Sequence, residues 1–165
     1  MITPYNPAWP AAFERERQRL QALLDILSVD HIGSTSVPGL AAKPIIDILV
    51  SVKSLASLDK QAEALRASGY DYLGEHGLAG RRYLRRQASD GTHTHHIHVY
   101  KQGDESLHRH LVFRDYLRAH AEEREDYGAL KRKLVETGVD RKGYQSGKDD
   151  FVAALELRAL AWAAQ

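Results

Sequence analysis

The run from Ile45 to Val52 reads Ile-Ile-Asp-Ile-Leu-Val-Ser-Val, apolar at both alternating sets of positions apart from one carboxylate, Asp47, and one serine. A strand that is apolar on both faces buries both, so it belongs in the interior of a sheet covered on two sides. A carboxylate inside such a strand must be paired, hydrogen-bonded or metal-bound if it is buried. The segment therefore demands a sheet and marks a position where a folding cost is borne, as it often is at functional sites.

The residues leading into that strand extend the constraint. His31-Ile32-Gly33-Ser34-Thr35-Ser36-Val37-Pro38 is a small-residue turn after a short apolar stretch, and Lys43-Pro44 stands directly before the strand. A turn built on Gly33, Ser34, Thr35 and Ser36 can present backbone N–H groups and hydroxyls to a phosphate. A carboxylate on the next strand can hold the metal that such a phosphate brings. Pro44 holds Lys43 in an extended conformation at the same end of the sheet. Two plainer readings stay open: a tight turn in which Ser34 or Ser36 caps a short helical piece, and an Asp47 that simply pairs with one of the many arginines.

Two further stretches carry chemistry. In His93-Thr94-His95-His96-Ile97-His98-Val99-Tyr100, strand alternation puts His96 and His98 on one face with Thr94 and Tyr100, and His95 on the other with Ile97 and Val99. Two imidazoles on one face can share a metal or grip a phosphate, whereas a lone one is more often a satisfied core histidine. In Arg81-Arg82-Tyr83-Leu84-Arg85-Arg86, Arg82 and Arg86 share one face and Arg81 and Arg85 the other. Arginine suits phosphate oxygens, although four arginines also guard an edge strand. Lys148, near Tyr144, is a further candidate cation, equally well explained by a solvated helix start.

Composition narrows the classes. The 165 residues suit one compact domain, 1–165, and 23 basic against 22 acidic residues give a net charge of +1, no footprint for nucleic acid. Without cysteine there is no disulfide, thiol nucleophile or thiolate metal site. No apolar run has the length of a membrane span, and Met1 to Pro7 lacks the basic and apolar regions of a secretory leader, so a cytoplasmic protein with no membrane partner is expected.

Periodicity predicts a helix entered at Asn6-Pro7, with Phe13, Leu20, Leu23, Leu24 and Leu27 on its buried face. Strands follow at Val29 to Ile32 and Ile45 to Val52, then a helix capped by Ser54 and stopped at Gly69. Tyr70 to Leu73, Arg81 to Gln87 and His95 to Lys101 read as strands, with a glycine-rich loop at Gly74 to Gly80. Asp104 to His120, Ala121 to Thr137 and Ser146 to Ala164 read as helices. This order gives an α+β fold, a mixed sheet covered by helices with a C-terminal helical tail.

The residues also resemble a known family. The stretch from His31 to Ile48 is similar to the signature of the GrpB family, and the likeness continues through Arg82-Tyr83-Leu84, His95 to Val99, Phe113-Arg114-Asp115-Tyr116-Leu117-Arg118, and Tyr144 with Lys148. The resemblance implies a nucleotidyltransferase-like mixed sheet of about five strands. In that superfamily a Gly-Ser turn precedes a strand with two acids one residue apart, and a third acid lies on a later strand. Together they hold metals that orient a nucleoside triphosphate. Here Asp47 supplies one acid, Leu49 or Ile45 stands at the second, and His98 stands at the third.

One Asp with His96 or His98 suits manganese or zinc better than two magnesium ions, which prefer oxygen. Glu75, beside His76, is a candidate replacement acid. The leading expectation is a nucleotide or related phosphorylated small molecule as ligand, with metal-dependent nucleotidyl transfer. Asp47 and His98 would be catalytic, Asp47, His96 and His98 metal ligands, and Gly33, Ser34, Thr35, Ser36, Lys43, Arg82 and Lys148 phosphate contacts. A non-catalytic binding module that lost its metals is the alternative. A histidine-based hydrolase is a second one, though Thr94 stands where its motif needs a first histidine. The family's fusion to dephospho-CoA kinase in some bacteria implies a functional link to that enzyme.

Overall fold

A computed structural model describes all residues, Met1–Gln165. The strands are β1 (Ser28–Ile32), β2 (Ile46–Val52), β3 (Asp71–Tyr72), β4 (Arg81–Gln87) and β5 (His93–Lys101), in the order β1-β2-β5-β4-β3. Only β2 and β5 run parallel; the other pairs are antiparallel, so the sheet is mixed. As its apolar pattern requires, β2 is interior, flanked by β1 and β5. The helices are α1 (Trp9–Leu23), α2 (Leu55–Asp59), α3 (Ala62–Ala67), α4 (Glu105–Ala119), α5 (Ala121–Glu136) and α6 (Arg141–Ala163).

The two faces of the sheet are covered differently. Ile46, Ile48, Val50, Leu84, Ile97 and Val99 project from one face into the main core, against Leu20 and Leu24 at α1 and Leu58 and Leu65 of α2 and α3. On the other face Leu49 and Tyr100 join Ile32 in a small cluster against Leu107 and Leu111 of α4. A third cluster packs α4, α5 and α6 on Val37 and Leu40, just after the Gly-Ser turn. Helix α4 thus covers the stretch of sheet around Leu49 and Tyr100, and the stretch around Asp47 opens into a cavity bordered by α5 and α6.

Several boundaries differ from expectation. Asn6 does not cap α1; its carboxamide oxygen accepts from the Ala8 N–H in a local turn, and the helix begins at Trp9 with Pro10 in its first turn. Leu23 and Leu27 are exposed, and the buried face of α1 instead holds Glu16, which no apolar pattern reveals. Ser54 does cap the next helix through the Ser57 N–H, but the chain breaks into two short helices at Lys60 and Gln61 before Gly69 ends them. His120 ends α4 and begins α5. Helix α6 starts ahead of Ser146, at Arg141, because the Asp140 carboxylate caps it on the Gly143 N–H.

Candidate functional site

Gly33 joins β1 to the turn with φ of 73°, a conformation that glycine adopts freely. A Cβ at this position would also lie 2.5 Å from Asp47 Oδ2, so only glycine lets the turn approach the carboxylate. Ser34–Ser36 then forms a single 3-10 turn, in which the Ser36 hydroxyl donates to the Gly33 carbonyl. Two arginines of α4 fix the turn from outside: Arg114 Nη1 donates to the His31 carbonyl and Arg118 Nε to the Ser36 carbonyl, at 3.2 and 2.9 Å. His31 is a structural member, bonded to Thr35 Oγ1 at 2.9 Å and stacked on Phe13; burial lowers its pKa to about 4.

The parallel register sets Asp47 beside His96 and Leu49 beside His98. His96 Nδ1 and His98 Nε2 lie 3.7 and 3.6 Å from Asp47 Oδ1. His96 shares a hydrogen bond of 2.9 Å with His93, and burial lowers its pKa to about 4, so it is neutral at pH 7. Arg81 Nη1 faces His98 Nδ1 at 3.5 Å. A guanidinium can only donate, so neutral His98 carries its proton on Nε2, toward Asp47. A metal on Nε2 would displace that proton onto Nδ1, against the guanidinium. No group of three or more His, Cys, Asp or Glu side chains gathers to hold a metal ion, so the manganese or zinc expectation gains no ligand set from this arrangement.

The cavity beside Asp47 has a volume of about 660 Å³ and is rich in cations. Lys43, Lys131, Arg141 and Lys148 line it, with Ser34 and Thr35 on its wall. Lys131 of α5 is the residue that sequence reasoning missed. It is 3% exposed, its Nζ donates to Ser34 Oγ at 2.8 Å, and it lies 4.5 Å from the centroid of the Tyr127 ring. It takes part in none of the salt bridges of the protein. Burial, with Lys148 and Arg132 adding to it, pulls its pKa from 10.5 to about 7. Lys43 and Lys148 both approach the Tyr144 ring, at 4.4 and 5.2 Å from its centroid, and burial lowers the pKa of Lys148 as well.

Of the expected phosphate contacts, Ser34, Thr35, Lys43 and Lys148 therefore line one cavity with Asp47 and His96, and Gly33 and Ser36 shape the turn behind it. Arg82 is placed elsewhere. It alternates onto the opposite face of the sheet, where Nε and Nη2 donate to Asp59 at 2.8 and 3.0 Å. Arg81 occupies the face that was expected for Arg82, beside His98. Glu75 is no replacement acid: its carboxylate accepts from the Gly80 N–H at 2.7 Å and closes its own loop.

Comparison with known proteins gives a family and a fold. The family model described as GrpB protein matches residues 1–158. The UPF0157 protein YqkA of Bacillus subtilis is 42% identical over 98% of the chain, which spans about half (47%) of that protein. The crystal structure of the conserved protein GrpB from Enterococcus faecalis superposes with a TM-score of 0.94 at 42% identity, covering 100% of both chains. A protein of Mycolicibacterium paratuberculosis named dephospho-CoA kinase is 32% identical over 98% of the chain and 46% of its own length. More distantly, the Cid1 poly(U) polymerase bound to MgATP gives a TM-score of 0.51 at 15% identity over 79% of this chain and 45% of that one, a likeness of fold alone.

Proposed function

The chain belongs to the GrpB family, with a nucleotidyltransferase-like fold, and from that premise we propose that it binds a nucleotide or related phosphorylated small molecule through its phosphate groups. The observation that carries this reading is Lys131, a buried ammonium with a hydroxyl for its only hydrogen-bond partner and no carboxylate. Burying a charge without a counter-ion is costly. An anionic group in the adjoining cavity removes that cost, and Lys43, Lys148 and Arg141 extend the same attraction. Asp47 faces the same space and would orient the ligand or receive a proton from it. The mycobacterial relative named dephospho-CoA kinase makes ATP and dephospho-CoA the first ligands to try.

Calorimetric titration with ATP tests the reading. Binding is expected in the wild type, weakened at least tenfold in Lys131→Met and unchanged in Arg82→Ala; no binding, or equal affinity in wild type and Lys131→Met, would contradict it.

A second reading, a binding module without turnover, is favoured by Leu49. Where the superfamily pattern wants an acid, this side chain is 1% exposed and packed with Ile32 and Tyr100. Release of pyrophosphate from ATP, dependent on manganese and lost in Asp47→Ala, would decide for transfer over mere binding.

A further inference from the structure

The cations around the cavity are crowded in a way that bears on how an anion enters. Lys131 is faced by Lys148 from α6, by Lys43 from the segment before β2, and by Arg132, its neighbour in α5. The one opposing charge is Asp47 of β2, and the aromatic face is that of Tyr127, one turn earlier in α5. His93 and His96 line the same cavity from β5. With the cavity empty, a proton on Lys131 is held in a buried position, repelled by three cations and satisfied by one hydroxyl. With an anion present, the same proton gains a charge-assisted hydrogen bond in a site of low dielectric.

We propose that anion capture by this cavity is proton-coupled through Lys131, which takes up a proton as the phosphate group enters. The proposal rests on the phosphate-binding reading above and adds its regulation: affinity falls as the pH rises. The direction agrees with the low proton affinity of the buried ammonium, whose pKa of about 7 leaves a large share of empty molecules neutral at physiological pH. The step balances simply. One proton passes from solvent to Lys131 Nζ, the anion enters, and no covalent bond is made or broken.

If only the protonated form binds, the competent fraction falls from about one half at pH 7 to about one hundredth at pH 9, so apparent affinity drops about 50-fold. Histidines cannot supply a dependence that persists above pH 8.

Cyclic trimetaphosphate is a suitable probe, because its charge is constant over this range. Calorimetry at pH 7, 8 and 9 is expected to show the approximately 50-fold loss in the wild type, and weak, pH-independent binding in Lys131→Met. Equal affinity at pH 7 and pH 9 would overturn the coupling while leaving the anion site standing. No binding at any pH would remove the phosphate-binding reading, and the coupling with it. A pH dependence that survives in Lys131→Met would also overturn the proposal, by assigning the proton to another group.

A second measurement does not depend on the variant folding. In wild-type protein carrying 13C-labelled lysine, the Lys131 resonance, told apart from that of Lys148 by its proximity to the Tyr127 rather than the Tyr144 ring, is expected to have its midpoint near 7 and to move upward when trimetaphosphate is added. A set of lysine resonances that all titrate at the ordinary value, with or without the probe, would overturn the proposal.

Discussion

Two charged side chains are buried almost equally deeply on opposite faces of the sheet, and they are treated in opposite ways. Glu16, 2% exposed, accepts from the Tyr70 hydroxyl and from Arg86 Nη1, both at 2.5 Å, with His95 Nε2 at 3.9 Å. Arg19 completes the network through Tyr70 at 3.1 Å. Lys131, 3% exposed, has the Ser34 hydroxyl and the face of Tyr127. The first charge is neutralised within the protein and serves the fold. The second has no counter-ion within the protein, and it sits where the cavity is.

The largest expected effect breaks the compensated charge. Glu16→Ala removes the acceptor of both the Tyr70 hydroxyl and the half-buried Arg86, and at about 1.5–3 kcal/mol for each hydrogen bond to a charged group urea unfolding should show a loss of about 3–5 kcal/mol. The affinity for ATP in the material that stays folded should be unchanged.

Next comes the acid that the superfamily pattern would place at position 49. Leu49→Asp puts a carboxylate into the cluster of Ile32 and Tyr100 and should cost about 3 kcal/mol. Urea unfolding measures it, and a stability equal to that of the wild type would show that this position has room for a second metal ligand.

Removing the uncompensated charge should have the opposite sign. Lys131→Met is expected to gain about 1–2 kcal/mol at pH 7, because a buried ammonium is replaced by an apolar chain of similar length. The pH dependence has a definite direction. The pKa of Lys131 is lower in the folded state, about 7, than the 10.5 of an ordinary lysine. Between those values the unfolded chain binds more protons, so wild-type stability rises with pH by up to about 1.4 kcal/mol per unit. The destabilisation is fully present below pH 7 and relieved above it. The advantage of Lys131→Met, followed by thermal or urea unfolding, should therefore fall by about 2 kcal/mol from pH 7 to pH 9, enough to abolish it. The smallest effect is that of Arg82→Ala, about 0.5 kcal/mol for a partly exposed ion pair.

Much of this arrangement is legible along the chain. The apolar run around Asp47 identified an interior strand, and the Gly-Ser turn identified what faces it, because both signals are local. Alternation paired His96 with His98 correctly. It could not say which β4 arginine stands beside His98, and so Arg82 was expected where Arg81 stands. That choice is made by register with β5, which is a tertiary fact. Lys131 was invisible for a different reason. It stands in the basic run Lys131-Arg132-Lys133 on a polar helix, where one buried lysine and two solvated neighbours look alike. Glu16 was hidden in the same way among Arg15, Arg17 and Arg19. Buried charges of this kind become visible only when packing shows which side of a helix is covered.

The central claim is that Lys131 is the unpaired half of an ion pair whose other half is a ligand. A crystal structure grown with ATP and manganese tests it directly. The expected result is a phosphate oxygen within hydrogen-bond reach of Lys131 Nζ, with Ser34 and Lys148 beside it. Nucleotide bound elsewhere at full occupancy, with Lys131 still held by Ser34 alone, would contradict the account.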